Sequence, residues 1–413
     1  MSNKFKRWQT ESVNEALKLR RVVVVSGARQ TGKTTLSQQI LPSNEVVDYR
    51  SLDDTDMLAF ALSDPKGFVL NKSGTIVIDE IQKAPKLIPE IKQVVDKNKR
   101  PGQYLLMGSA NILTLPVFSD SLAGRVKYMR LRPLTVGETL GKKPSFLKRA
   151  FNRDFPGRIN ECNKADIIDL AFRGGYPEAV AIKNIRHRKN WYMDYLQAII
   201  NRDLKDIANI RRQDALQSLL GILASWSAKF MEVSHITASL SINKITLDSY
   251  INTLVSMFMF EKVSPWLKTD YDRVGRRSKL YAADTGIMTS VLGWNTKEVF
   301  MNQDRSGKLI ETFVFQELAA QLDLNNKYSL FQYRDRVNRE IDFLVENEDG
   351  ALLGIEVKAG HNVSKSDFSS QEWFVENIHK NKPYTGLILY SGDRTIRFGE
   401  NMLAVPTAAL WTE

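Results

Sequence analysis

Three short apolar runs punctuate the first third of the chain: Arg21 to Ser26, which enters a glycine-containing loop, Gly74 to Ile78, which ends in two acids, and Gln103 to Gly108. Runs of this length without polar alternation, separated by stretches of helical periodicity, predict buried parallel strands of an α/β sheet. From about residue 140 to 215 the pattern turns helical and polar. Beyond it, Leu216 to Lys229, Val233 to Leu240 and Thr246 to Phe258 read as helices, and Phe260 to Trp266 and Lys279 to Ala282 as strands joined by the basic loop YDRVGRRSK. Helices followed by a hairpin in this order predict a winged helix-turn-helix. The rest reads as a helix (Leu309 to Leu322), three strands (Ser329 to Arg334, Glu340 to Glu346, Leu352 to Ala359), a further helix and the strand Thr385 to Tyr390. The expected segments are 1–140, 141–213, 214–299 and 300–413.

Length and composition agree with several packed domains: 413 residues, 43% hydrophobic and 25% charged. The single cysteine, Cys162, excludes an intrachain disulfide, and with four histidines the chain cannot build a Cys/His zinc site, so a metal must rest on carboxylates. The most apolar runs, Val22 to Val25 and Leu254 to Phe260, are too short to span a bilayer, and the N-terminus lacks a signal-peptide core. A cytoplasmic protein without membrane contact is expected.

Net charge is +11, and the stretch Arg125 to Ala215 carries 20 basic against 10 acidic residues. Such a basic segment, with Arg273, Arg276, Arg277 and Lys279 in the wing loop, would suit the backbone of a nucleic acid. The would-be recognition helix, TLDSYINTLVSM, holds no Lys or Arg, which disfavours base reading.

Gly27-Ala28-Arg29-Gln30-Thr31-Gly32-Lys33-Thr34, followed by Thr35, fits G-x-x-x-x-G-K-[ST] between a strand and a helix. Backbone N–H groups of such a loop cradle phosphates, Lys33 reaches the β and γ phosphates of ATP, and the Thr34 hydroxyl faces Mg2+. Asp79 and Glu80 then end an apolar strand, Asp79 as the second Mg2+ ligand and Glu80 as the group that polarises the attacking water. Ser109 or Asn111, at the end of LLMGSAN, is placed to bridge phosphate and water. Arg125, after Gly124, is a candidate arginine finger acting in cis or in trans.

A second constellation lies in the last hundred residues. If Glu348-Asp349-Gly350 forms a three-residue loop, Asp342 pairs with Glu356, and both share a face with Lys358; a two-residue loop would pair Asp342 with Val357. Two carboxylates and a lysine suit Mg2+- or Mn2+-assisted phosphodiester cleavage. A helical glutamate, Glu311 or Glu317, would complete the ligand set, and six residues of helix turn about 240°, so one of the two faces the site.

These residues resemble a known group, the prokaryotic AAA-type P-loop ATPases whose C-terminal half carries a domain long described as of unknown function. The resemblance rests on GARQTGKTT, IVIDEIQ, LLMGSAN, SLAGRV with RPLTVGE, RGGYPEAV, INRDL, LYAADTGI, LIETFVFQEL and NREIDFLVENEDGALLGIEVK. It implies an α/β chain: a P-loop NTPase (AAA-type) parallel sheet at 1–140, a basic helical lid at 141–213, a winged-helix segment at 214–299 and a restriction-endonuclease-like, PD-(D/E)XK-type domain at 300–413. One departure is Ile341, which stands where that superfold usually has Pro before its first Asp. Arg173, Gly174 and Gly175 match a family motif to which the sequence alone attaches no role. Two functions are expected from this: a nucleotide-driven, DNA-interacting ATPase with a metal nuclease, or a regulatory ATPase switch that binds a protein partner through a catalytically silent scaffold. Either is compatible with a homo-oligomer.

Overall fold

The computed structural model describes residues 5–40, 47–71, 73–109, 122, 124–159, 162–207, 213–267, 277–324, 327–380 and 382–412. The chain divides into two compact units, Met1–Leu134 with Ser256–Phe258, and Thr135–Val255 with Met259–Glu413.

In the first unit β1 (Val22–Ser26), β2 (Val47–Ser51), β3 (Thr75–Asp79), β4 (Tyr104–Gly108) and β5 (Val126–Arg130) form a parallel sheet in the order β2-β3-β4-β1-β5. Helices cover both faces, so the inner strands are apolar on both sides. Val22, Val24, Ile76, Ile78 and Leu106 pack with Leu87, Ile88 and Ile91 of the helix Leu87–Lys97. Val23, Val25, Val77 and Leu105 pack with Val13 of the helix Gln9–Leu19 and with Leu36 and Ile40 of the helix Lys33–Ile40. The three expected strands are the three inner ones. The two edge strands, VDYRS and VKYMR, went unforeseen because each is half exposed and breaks its apolar pattern with charge.

The second unit begins with helices, among them Lys164–Arg173 and Ile185–Ile207. Helices Gln213–Ser225, Val233–Leu240 and Lys244–Ser256 follow, with a small antiparallel sheet of β6 (Lys229–Phe230), β7 (Phe260–Val263) and β8 (Lys279–Ala282) in the order β6-β8-β7. Then come the helix Gln303–Leu322, buried on most of its sides, and a six-stranded mixed sheet. Its strands are β9 (Tyr328–Arg334), β10 (Glu340–Asn347), β11 (Leu352–Lys358), β12 (Tyr384–Tyr390), β13 (Ile396–Arg397) and β14 (Met402–Pro406), in the order β13-β14-β12-β11-β10-β9. The chain is α/β throughout.

Two local structures explain motifs in the second unit. Thr135 and Glu138 of RPLTVGE form a capping box, and the next orphan donor of that short helix, the Val136 N–H, is taken by Glu317 at 2.9 and 3.1 Å. Asp284 of LYAADTGI accepts the Gly175 N–H at 2.7 Å and the Ile287 N–H at 2.9 Å, which ties RGGY to the start of the helix Thr285–Val291. Gly174 has φ +65°, and a Cβ there would lie 2.1 Å from the Tyr192 hydroxyl. The RGG motif is therefore a packing node. Burial pushes the Asp284 carboxyl up to about 6 against three backbone N–H bonds that favour its charge.

Candidate functional site

The glycine loop leaves β1 at the C-terminal end of the sheet. Gly27 N–H donates to the Gly108 carbonyl at 3.2 Å, Leu131 N–H donates to the Ser26 carbonyl at 2.8 Å, and a Cβ on Gly27 would lie 2.2 Å from the Leu131 oxygen. Gln30 and Gly32 take φ of 60° and 95°, which curls the loop, and the helix begins at Lys33. Thr31 closes the turn by donating its hydroxyl to the Ala28 carbonyl at 2.8 Å. Arg7 braces it from outside: one guanidinium nitrogen reaches the Thr31 carbonyl at 2.7 Å and another the Arg132 carbonyl at 2.6 Å.

Within the loop the buried ammonium of Lys33 donates to the Gly27 and Ala28 carbonyls at 3.0 and 2.9 Å. It bridges the mouth of the cradle. The Thr34 hydroxyl donates to Asp79 Oδ2 at 3.0 Å, and the Tyr49 hydroxyl donates to the same oxygen at 2.7 Å. Burial and that carboxylate together push the Tyr49 hydroxyl well above its usual range. Thr34 and Asp79 are hard oxygen donors brought together from the two elements expected, and they fit Mg2+.

Glu80 leaves the strand in the left-handed conformation, φ 55° and ψ 41°, its backbone N–H donating to Asp79 Oδ1 at 2.9 Å. Its carboxylate is held from three sides. Ser109 donates its hydroxyl to Glu80 Oε2 at 2.8 Å, Gln82 donates its amide to the same oxygen, and Arg29 lies 4.0 Å from Oε1. Ser109 thus acts on Glu80, while Asn111 lies outside the described residues. A left-handed non-glycine residue is strained backbone of a kind that clusters at functional sites. Arg7, Tyr49 and Gln82 were missed by sequence reasoning, since an isolated Arg, a Tyr on an edge strand and a Gln after the acids carry no motif of their own.

Arg125 is elsewhere. Its carbonyl accepts the Val22 N–H at 3.3 Å, at the beginning of β1, and its guanidinium is paired with Asp96, with one nitrogen 3.0 Å from Oδ2. The loop is at the other end of β1, about 13 Å away by strand rise. The in-cis arginine finger is therefore corrected: Arg125 cannot reach the nucleotide of its own chain.

The second constellation is brought together in part. The hairpin pairs Phe343 with Ile355 and Glu346 with Leu352, with Gly350 at φ +75° closing the loop Glu348–Asp349–Gly350 and Asn347 N–H bonded to the Ala351 carbonyl at 3.1 Å. In this register Asp342 stands opposite Glu356, and Asp342 Oδ2 accepts the Val357 N–H at 3.0 Å. Of the two helical glutamates, Glu311 faces the cluster. Glu317 caps the turn at Val136 instead, and its candidacy as a metal ligand is corrected. Lys358 stays at the rim, 3.8 Å from Glu356 and 3.7 Å from Asp367.

What fills the cluster is Lys279, from β8. Its ammonium lies 2.7 Å from Glu311 Oε1, 2.6 Å from Glu340 Oε1 and 3.3 Å from Asp342 Oδ1, with the side chain 2% exposed. The expectation that Lys279 offers a solvent-facing contact to nucleic acid is thereby overturned. Burial works against its charge, but Glu311, Tyr281, Asp342 and Glu340 hold its pKa well above the usual value. Burial first, then Asp342, pushes Glu311 up to about 8, against the opposing pull of Lys279. Among the described residues no group of three His, Cys, Asp or Glu is arranged to hold a metal ion. The carboxylates present do not fit Mg2+ or Mn2+, because an ammonium already sits among them.

Arg273 and Arg276 of the wing loop lie outside the described residues, and Arg277 lines an open cavity of about 350 Å³ with Phe230, Glu232 and Arg334. Among the described residues no helix is long and apolar enough to cross a membrane.

Comparison with known proteins agrees with the first unit. Residues 19–140 match the family model of an AAA domain, residues 164–298 a domain of unknown function (DUF8612), and residues 306–410 a second domain of unknown function (DUF4143). Uncharacterized proteins of Mycobacterium tuberculosis and Mycobacterium bovis are each 27% identical over 391 residues, covering 95% of this chain and 81% of theirs. An uncharacterized protein of Methanocaldococcus jannaschii is 23% identical over 393 residues, 90% of this chain and 83% of its own. Among solved structures, a Walker-type ATPase of Pyrococcus abyssi aligns with a TM-score of 0.43 at 15% identity, over 68% of this chain and 94% of its own. AMPPCP-bound DnaA from Aquifex aeolicus aligns with a TM-score of 0.30 at 14% identity, over 60% and 85%.

Proposed function

We propose that the protein is an ATP-hydrolysing switch of the AAA type. The observation that carries the reading is the closure of the glycine loop onto the end of β3: Thr34 bonded to Asp79 at 3.0 Å, with Glu80 beside them and held by Ser109 at 2.8 Å. In this reading the N–H groups of residues 27–35 cradle the phosphates. Lys33 leaves the Gly27 and Ala28 carbonyls for the β and γ phosphates, a short swing for a flexible four-carbon stem. Thr34 and Asp79 hold Mg2+, which when bound offsets the charge of the phosphate oxygens. Glu80 orients the attacking water and accepts its proton, and Ser109 and Gln82 keep that carboxylate aimed. Arg7 keeps the loop in its curled shape.

The test is phosphate release from ATP by the full chain. Magnesium-dependent turnover that Lys33→Ala abolishes supports the reading, and turnover undiminished in Lys33→Ala rejects it.

The second unit is read as the output of the switch, a surface for a protein partner or a nucleic acid. Nucleic-acid binding is favoured by one observation, the exposed Arg186, His187 and Lys189 at the start of the helix Ile185–Ile207, within the most basic part of the chain. Such binding would be electrostatic, with log affinity falling by about 0.9 per phosphate contacted for each tenfold rise in salt. Affinity for duplex DNA that is absent at low salt, or independent of salt, favours the protein partner.

A further inference from the structure

We propose that Lys279 is the resident cation of the C-terminal acidic cluster, standing where a divalent metal would stand, so that these carboxylates form an internal ion-pair lock instead of a metal site. The inference goes beyond ATP hydrolysis and does not depend on it.

The cluster draws on three separate elements. Glu311 comes from the helix Gln303–Leu322, Glu340 and Asp342 share a face of β10, and Lys279 reaches them from β8 of the small sheet. An ammonium group has three N–H donors, and three carboxylate oxygens stand at 2.6, 2.7 and 3.3 Å from this one. The donor count is filled.

Two of these carboxylates accept a further donor. The Tyr281 hydroxyl donates to Glu311 Oε1 at 2.7 Å, and the Val357 N–H donates to Asp342 Oδ2 at 3.0 Å. Lone pairs of Glu311 Oε1 and Asp342 Oδ2 are thus directed at O–H and N–H groups. The rings of Phe230 and Tyr281, each 5.8 Å from the ammonium, wall it from solvent and favour a cation between them. A metal ion bound to the same oxygens would meet the buried positive charge of Lys279 at contact distance. Glu356 completes the picture from the other side: its Oε2 is buried without a hydrogen-bond partner among the described residues, and Lys358 is 38% exposed at the rim. The lysine nearest the sequence motif is therefore not the one that neutralises the acids.

Lys279 also has a mechanical consequence. It ties β8 to the helix Gln303–Leu322 and to β10, so the small sheet and the mixed sheet share one buried ionic joint. A buried charge that loses its partners is costly, and removing this ammonium leaves carboxylates facing one another.

The test follows Mn2+ binding by electron paramagnetic resonance and thermal unfolding of the full chain without nucleotide, in wild type, Asp342→Asn, Lys279→Ala and Lys279→Ala/Asp342→Asn. Wild type and Asp342→Asn are expected to bind the same number of Mn2+ ions. Lys279→Ala is expected to unfold at lower temperature in EDTA, to gain one Mn2+ site and to recover several degrees of melting temperature on adding Mn2+. The double variant should lose that gain. A Mn2+ site in wild type that Asp342→Asn removes overturns the proposal, as does Mn2+-dependent DNA cleavage lost in Asp342→Asn. Should Lys279→Ala fail to fold, the comparison of wild type with Asp342→Asn still decides. A well-folded Lys279→Ala that is as stable as wild type in EDTA and gains no Mn2+ site also overturns it.

Discussion

Gly27→Ala isolates the contact on which the nucleotide loop is built. Gly27 is not in the left-handed region, so an alanine there meets no dihedral strain; the obstacle is steric. Its Cβ would lie 2.2 Å from the Leu131 carbonyl oxygen and 3.2 Å from the carbonyl carbon. Carbon and oxygen need about 3.2 Å, so the loop and the strand exit must part by roughly 1 Å, and backbone on both sides leaves nothing flexible to yield. The bond from Leu131 N–H to the Ser26 carbonyl, 2.8 Å long, is the first casualty. One hydrogen bond at about 1 kcal/mol and an overpacking cost of about 1–3 kcal/mol give a loss of about 2–4 kcal/mol. The movement also displaces Arg132, whose carbonyl is one of the two that Arg7 uses to brace the loop. Urea unfolding followed by tryptophan fluorescence, with ATP binding by calorimetry, should show both the lost stability and a weakened affinity. Gly221→Ala serves as control, because nothing lies within 4 Å of a Cβ there. If Gly27→Ala unfolds within about 0.3 kcal/mol of wild type and binds ATP equally well, the steric reasoning is wrong.

Glu317→Ala removes the acceptor of the Val136 N–H and opens a void in the core, so chemical denaturation should show a loss of about 2–4 kcal/mol, while Glu317→Gln, which keeps one acceptor oxygen, should lose less than half of that. Asp284→Asn replaces one of two accepting oxygens by a donor aimed at a backbone N–H, with an expected loss of about 1–3 kcal/mol near pH 4. Because Asp284 titrates near 6 in the fold and near 3.8 when unfolded, wild type loses stability as pH rises from about 4 to 6, whereas the asparagine does not titrate. Roughly two pKa units at about 1.4 kcal/mol each mean that the gap between the two proteins should narrow by about 3 kcal/mol over that range, as read from unfolding curves at several pH values. A gap that widens would mean that Asp284 is stabilised as its anion.

The inner strands of the first sheet were legible because burial on both faces writes itself into the sequence as unbroken Val, Ile and Leu. The edge strands were not, since a strand with one neighbour and solvent beside it carries Asp48, Arg50 and Lys127 as readily as a loop does. The loop, Asp79 and Glu80 were legible by spacing and Asp342 and Glu356 by strand period, whereas helix period said only that one of Glu311 and Glu317 faces them. What no local period could announce was the arrival of Lys279, which lies 63 positions from Asp342 in the chain and looked from its neighbours like part of a basic wing. Glu317 misled for the opposite reason: its motif marks a buried acceptor for a backbone N–H contributed 181 positions away. Charge clusters read from sequence give the residues' signs, and only the tertiary fold says which signs meet.

The central claim, that Glu80 activates water at a site where Lys33 and Thr34 hold the nucleotide, is tested most directly by Glu80→Gln. Glutamine keeps the shape and the acceptor oxygen for Ser109, and it removes the group that takes the proton. ATP affinity and single-turnover hydrolysis measured on the same preparation should show affinity within about threefold of wild type and hydrolysis slowed by several orders of magnitude. Lys33→Ala should lose the affinity itself. Glu80→Gln that hydrolyses ATP at the wild-type rate, or that loses ATP as Lys33→Ala does, contradicts the account.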